Sequence, residues 1–333
     1  MHMLGADLLH AREKIDVVTL RNGDTVTGEI KALDRGLLKL ATSFMGTIDI
    51  EWRGVLRVES TQFFEVETTT GNRLFGAMPC PDADGMIMIG APGLAQELER
   101  IDVIRIAPLN QRFWARLDGF VDFGYSFSRA NRNQQLTLSS EVKARTDKHT
   151  VTVNYSSQLT DSKDIERRTR NDIGVSFQRA FEDRWFGVGL AQFNQNDELD
   201  LELRQLYGGG IGRFVTQTNR TILSLWGGAG FTRERFSSNE ESQGNLEGIA
   251  VLNHSYFIFE GNTTDLNTTL AFFPNFSDFG RIRINLSTRI SWEIFKDFTW
   301  NVTFQDSYDS RPPTIIGTEK NDFSVVTSVG FKF

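Results

Sequence analysis

The chain has 333 residues with 36 basic and 43 acidic side chains, a net charge of -7 and 39% hydrophobic residues, and Phe alone fills 27 positions. No stretch approaches about eighteen consecutive apolar residues, so no transmembrane helix is encoded. The acidic balance, -5 over residues 1–109 and -2 over 110–333, argues against a nucleic-acid binder. Cys80, between Pro79 and Pro81, is the single cysteine, which excludes an internal disulfide and a thiolate metal cluster.

Residues 1–15 lack the apolar stretch of a signal peptide, since Asp7 and His10 interrupt Leu4, Leu8 and Leu9; they are read as a leader remnant or an added start. Residues 16–60 and 64–108 then repeat one another at a spacing of 48. Asn22-Gly23 answers to Gly71-Asn72, Gly28 to Gly76, Asp49-Ile50-Glu51 to Glu97-Leu98-Glu99, and Val55-Leu56-Arg57-Val58 to Val103-Ile104-Arg105-Ile106. Each copy shows short alternating runs joined by Gly-bearing turns, the pattern of hairpins. The prediction is a pair of small, strongly bent SH3-like or Sm-like β units, and Leu20 to Ile30 resembles the Sm family. That family binds RNA, but without a basic, aromatic-lined patch the expected role is structural or protein-binding. Residues 109–113, with Pro108 just before them, form the connector to a second domain.

From Trp114 to Phe333 the period becomes a long two-residue alternation. Leu117, Gly119, Val121, Phe123, Tyr125 and Phe127 share one face. The clearest case is 282–293, where Ile282, Ile284, Leu286, Ile290 and Trp292 oppose Arg283, Asn285, Ser287, Arg289, Ser291 and Glu293. Further strands are expected near Leu136, Val151, Ile173, Phe186, Tyr207, Ile222, Gly248, Thr264, Phe298 and Phe323. The total is about twelve, an even number as single-chain bacterial barrels require, with ten or fourteen open on the same pattern. Tight turns at 145–150, 181–185, 215–221, 260–265 and 295–298 alternate with expected long loops at 161–171, 194–204, 233–247 and 309–322. Short turns on one side and long loops on the other place the front domain in the periplasm.

The chain ends on an alternating aromatic strand, Asp322 to Phe333. As an exposed sheet edge it would invite aggregation, and closure into a barrel in lipid removes the edge. Its ending, Val329, Gly330, Phe331 and Phe333, resembles the signal by which the barrel assembly machinery recognises bacterial outer-membrane proteins. Trp114, Trp185, Phe186, Phe295, Phe298 and Phe333 fall at the same strand ends, where an interfacial girdle is expected.

On the polar faces, Asp118, Asp122, Glu141, Lys143, Arg145, Arg283, Arg289 and Glu293 are expected to line the lumen. They would act either as a charge ring selecting solutes or as mutual salt bridges closing a narrow barrel. The acidic stretch Asn196 to Glu202, with Glu240-Glu241, is read as a solvated loop in preference to a cation site. Four histidines are present, and among them only His254 is expected within a strand, with Ser255 facing the other way. No nucleophile motif accompanies them, so the chain is not expected to be an enzyme. No metal site or cofactor is expected.

Residues 110–333 resemble the YdiY-like family of salt-induced outer-membrane proteins, a family of unknown function. The resemblance rests on the alternating strands, the loop Tyr308-Asp-Ser-Arg-Pro-Pro313 followed by Lys320-Asn-Asp322, and the aromatic terminus. It implies an outer-membrane location and no established activity. The reading is thus all-β: a transmembrane antiparallel barrel of about twelve strands preceded by a duplicated SH3-like domain. The expected function is a small pore or envelope-stabilising barrel, with a non-conducting structural or adhesion barrel as the alternative and a lipid hydrolase a distant third. Its expected partners are membrane lipid, the assembly machinery and a periplasmic protein held by residues 16–108.

Overall fold

In the computed structural model the chain divides into two compact units, residues 1–110 and 111–333. The structure describes residues 14–91, 93–109, 117–128, 133–146, 148–162, 165–237, 239–259, 263–311 and 320–332.

The front unit comprises β1 (Asp16–Leu20), β2 (Thr25–Asp34), β3 (Leu37–Ala41), β4 (Thr47–Glu51), β5 (Val55–Thr68), β6 (Arg73–Met78), β7 (Met86–Ile89), β8 (Gln96–Glu99) and β9 (Val103–Pro108). The duplication is visible in its backbone hydrogen bonds. In the first copy Leu20 N donates to Asp24 O, Gly23 N to Leu20 O and Arg21 N to Gly54 O. In the second, Thr68 N donates to Asn72 O, Gly71 N to Thr68 O and Thr69 N to Asp102 O, the same three bonds one repeat later. Gly23 and Gly71 carry φ of 91° and 85°, which the turn requires and L residues avoid. The copies are nevertheless fused. The 14-residue strand β5 closes the first copy through β1 and opens the second through β9. One core holds Val18, Leu38 and Trp52 from the first copy together with Val66, Ile87 and Ile106 from the second. Trp52 and Arg100, at equivalent positions, exchange bonds: Trp52 Nε1 donates to Arg100 O at 2.9 Å and Arg100 Nη1 to Trp52 O at 2.8 Å.

Gly76 (φ 158°) sits where β6 crosses β7, and a Cβ there would lie 2.5 Å from Gly90 Cα, in backbone that cannot retreat. We expect Gly76→Val to cost about 3 kcal/mol of front-unit stability, read in the full-length protein as faster proteolysis of residues 14–109 with an intact barrel. Cys80 is exposed, and a hydrogen bond with the Glu59 carboxylate pushes its thiol pKa up, so it is a poor nucleophile.

The second unit is a closed barrel of twelve strands, each antiparallel to its neighbours. In order they are β10 (Leu117–Ser128), β11 (Asn133–Arg145), β12 (His149–Ser162), β13 (Ile165–Ala180), β14 (Trp185–Asn196), β15 (Leu201–Gln217), β16 (Thr221–Phe236), β17 (Asn239–Ile258), β18 (Thr264–Pro274), β19 (Ile282–Phe295), β20 (Phe298–Asp309) and β21 (Asn321–Lys332). The terminal strand closes the barrel on β10, with Val121 opposite Phe331 and Asp122 opposite Gly330. Outward positions carry Val121, Phe123, Tyr125, Val153, Val175 and Leu225, all exposed. In water such a surface would aggregate; in lipid it is the apolar band of a spanning barrel.

Two expectations are corrected. The loops expected at 161–171, 194–204 and 233–247 are largely strand: β12 runs to Ser162 and β13 starts at Ile165, β14 reaches Asn196, and β17 starts at Asn239. Charged partners carry the ladder beyond the apolar band, as in the Arg168–Glu198 pair and in Arg235–Glu202 at 2.6 Å. Strand starts assigned to Ile173, Tyr207 and Gly248 therefore fall inside longer strands. Phe186 leaves the girdle. It is 2% exposed and points into the lumen against Phe214, ring centroids 5.0 Å apart, while its neighbour Trp185 is 46% exposed outside. Alternation admits only one of two successive residues to the outer face.

At the tight-turn end the outward aromatics do cluster: Phe295 with Phe298 at 4.7 Å, Phe298 with Phe331 at 5.3 Å, and His149 with Phe177 at 5.3 Å. Trp114, Phe333, the segment 110–113 and the Pro312-Pro313 loop lie outside the described residues.

Candidate functional site: the barrel lumen

Every second residue of the barrel strands points inward, and those side chains form three levels. At the level nearer the tight turns, Arg289 of β19 reaches Asp122 of β10 at 2.7 Å, across the width of β20 and β21. Asn301 Nδ2 donates to the same carboxylate at 3.1 Å, and the Arg289 guanidinium lies 3.9 Å from the Phe120 ring centroid. Gly330 makes this possible, because a Cβ there would overlap the Asp122 carboxylate. Lys332 of the terminal strand pairs with Asp265 of β18. Glu141 and Lys143, paired on β11 at 3.5 Å, remain in contact with water. Arg145 is half-buried at the end of β11, and Asp118 is exposed at the rim in register with Lys143. Glu293 accepts from the Asp297 backbone N–H at 3.2 Å and so belongs to a tight turn.

At the far level the network is denser. Glu234 of β16 accepts from Arg204 at 2.6 Å and from Arg281 at 2.8 Å, and Arg281 reaches Asp309 at 2.6 Å. Arg283 pairs with Glu247, which also accepts from Thr232 Oγ1 at 2.6 Å. Arg170 of β13 touches Asp172 at 3.2 Å and Asp322 of β21 at 3.5 Å, and β10 to β12 separate those last two strands. A small cavity of about 70 Å³ remains among Arg170, Arg204, Arg283 and Asp309. Removed from water, each of these charges depends on its partner, since a buried unpaired ion costs several kcal/mol (about 3–5).

Between the two levels lies a cavity of about 230 Å³. Its lining is part apolar, with Val188, Leu190, Trp226, Ile249 and Val251, and part polar, with Asn154, Ser176, Gln178, Gln192 and Ser224. Among the described residues no charged side chain lines it.

Of the eight residues expected in the lumen, the structure brings Asp122 and Arg289 together, pairs Glu141 with Lys143, and places Arg283 in the far network. Asp118, Arg145 and Glu293 lie at the tight-turn rim. Sequence reasoning missed Arg204, Glu234, Glu247, Arg281 and Asp309. The inward phase of β16 and β17 could have marked Glu234 and Glu247, whereas Arg281 sits in a loop outside any period.

The acidic loop spends its carboxylates internally. Asp197 accepts from the Thr169 N–H at 2.7 Å and Glu198 pairs with Arg168. The Glu240-Glu241 side chains lie outside the described residues. His254 faces outward, its Nε2 3.1 Å from Thr221 Oγ1, while Ser255 faces inward and donates to Asn267 at 2.7 Å. The two therefore form no Ser–His pair.

The family model described as "Protein of unknown function, DUF481" matches residues 121–333. The chain belongs to the DUF481 family. This is the YdiY-like family that the alternating strands and terminus resemble. Among solved structures, the NanC porin is similar to the DUF481 barrel at 12% identity and a TM-score of 0.41, over 65% of this chain and 100% of that one. The KdgM porin in complex with disordered oligogalacturonate matches at 12% identity and 0.35, over 64% and 99%. The translocator domain of autotransporter NalP from Neisseria meningitidis matches at 16% and 0.35, over 65% and 87%. No functionally curated protein matches the chain. The closed barrel with its apolar outer band makes this DUF481 member an outer-membrane β-barrel.

Proposed function

We propose that this barrel serves the envelope as a stabilising element whose lumen is held against free ion flow by its own salt bridges. The observation that carries the reading is the Arg170–Asp322 contact at 3.5 Å, made between strands that three others separate. The Arg289–Asp122 pair supports it at the opposite level. A charge ring that selects solutes presents unpaired like charges to the path, whereas here opposite charges neutralise one another within the lumen. In this role the barrel catalyses no reaction.

The tight turns and both barrel ends share one side, which supports a periplasmic front unit. The β3–β4 turn of that unit presents Phe44 at 100% exposure, and the β7–β8 turn presents Leu94 at 86%. Two apolar tips at the same place in each copy suit a module that docks on a periplasmic protein. The terminal strand, with Val329, Gly330 and Phe331 on the closing seam, is the part the assembly machinery would read.

Planar-bilayer recording of refolded protein tests the reading. The expected record is silent or shows only small steps, and Arg170→Ala combined with Arg204→Ala raises the conductance. Large, stable, porin-like steps from the unaltered protein would overturn it.

A further inference from the structure

The cavity between the charged levels differs from both of them, because among the described residues its lining carries no ionised group. Its lining combines apolar and neutral polar side chains. β14, β16 and β17 contribute Val188, Leu190, Trp226, Ile249 and Val251 as apolar inward side chains, with polar Gln192 and Ser224 next to them on the same strands. The Trp226 ring is half-buried and makes no ring or cation contact, unlike Phe273, whose face Arg283 covers at 5.0 Å. Around it, Asn154, Ser176, Gln178, Gln192 and Ser224 line the cavity, and none of these five side chains has a hydrogen-bonding partner among the described residues. Gly174 leaves the space that the Asn154 amide occupies, and Asn154 is exposed, so water reaches the cavity.

We propose that this cavity is a binding site for a neutral, polyhydroxylated ring, that is, one uncharged sugar residue. A sugar ring has an apolar C–H face that packs on an indole and a rim of hydroxyls that both donate and accept. Amides and hydroxyls likewise both donate and accept, and such mixed groups can satisfy that rim without any charge. An acyl chain fits the apolar part of the lining alike, but it would strip water from five polar side chains and return no hydrogen bond. An acidic sugar would bring a carboxylate into a lining with no cation to meet it. The volume of about 230 Å³ accommodates one ring. The site does not depend on whether the barrel conducts, so its test is separate from the conductance record.

Binding of D-glucose to the refolded full-length chain, in a detergent without a sugar headgroup, tests the proposal by calorimetry and Trp fluorescence. Heat-modifiable migration confirms closure of each variant. The expected result is saturable binding that Trp226→Ala abolishes and that Gln192→Leu weakens about tenfold, the loss of one satisfied polar contact. Trp185→Phe, on the outer face, leaves it unchanged, and gluconate does not compete. Absence of saturable glucose binding by the closed barrel would overturn the proposal. So would glucose binding that Trp226→Ala and Gln192→Leu both leave intact. Tight binding of octanol that Gln192→Leu strengthens, with none of glucose, would assign the cavity to an acyl chain instead.

Discussion

Gly330→Val is expected to stop the barrel from closing. Asp122 and Gly330 are opposed across the β10–β21 seam, and the Asp122 carboxylate occupies the space in which a side chain at 330 would stand. A valine would push that carboxylate off Arg289 and Asn301, leaving a buried guanidinium without its partner. It would do so on the strand pair that forms last, because first and last strands have no hairpin to align them. Loss of both the pair and the seam is an all-or-none event for a barrel, since an open edge in hydrocarbon leaves backbone groups unsatisfied. The refolded variant should migrate identically with and without boiling, whereas the parent shifts. Asp122→Ala in the same chain supplies the room again, and partial recovery of the heat-modifiable band in the double variant would show that the collision is the cause. A Gly330→Val protein that folds like its parent would remove Asp122 from the seam.

The second large effect concerns Glu247. Its side chain is 1% exposed and binds Arg283, itself 5% exposed, and the Thr232 hydroxyl. Glu247→Ala leaves the guanidinium buried and unpaired, and an expected loss of about 3–5 kcal/mol follows from that uncompensated charge. Replacing both partners by apolar residues, Arg283→Met with Glu247→Leu, should restore most of the loss, because neither desolvated ion remains. Urea unfolding of the refolded barrel in detergent measures both variants. If the double variant is as unstable as the single one, the pair contributes shape that methionine and leucine do not reproduce. If Glu247→Ala is neutral, water reaches Arg283 and the far level is open.

The twofold alternation disclosed the barrel and its strand number, because the membrane face of each strand obeys it from Val121 to Phe331. The lumen was legible only where inward residues are charged on a regular strand, as at Asp122, Arg283 and Arg289. Phe186 was misplaced because aromatic character at a strand end says nothing of phase; the left-handed turn residues Asp183 and Arg184 set that phase. The cavity had a signal that went unread. Ile249-Ala250-Val251-Leu252 is apolar on both faces, which a barrel strand does not need for lipid alone. Arg281 had none, since its pairing with Glu234 and Asp309 comes from a loop folding inward. In the front unit the repeat was readable, but β5 serving both copies was not, because equal spacing does not reveal that one strand continues through the join.

The exchange between Trp52 and Arg100 also bears on how the front unit survives dilution. A bond from one copy answered by the same bond in return is the signature of a twofold, self-complementary contact, in which two separate molecules would associate only as fast as they meet. Here strand β5 tethers the halves, so their pairing is first-order and the chain itself sets their effective concentration. The front unit therefore keeps its fold at any abundance, and a cell carrying few copies of the protein loses none of them to dissociation.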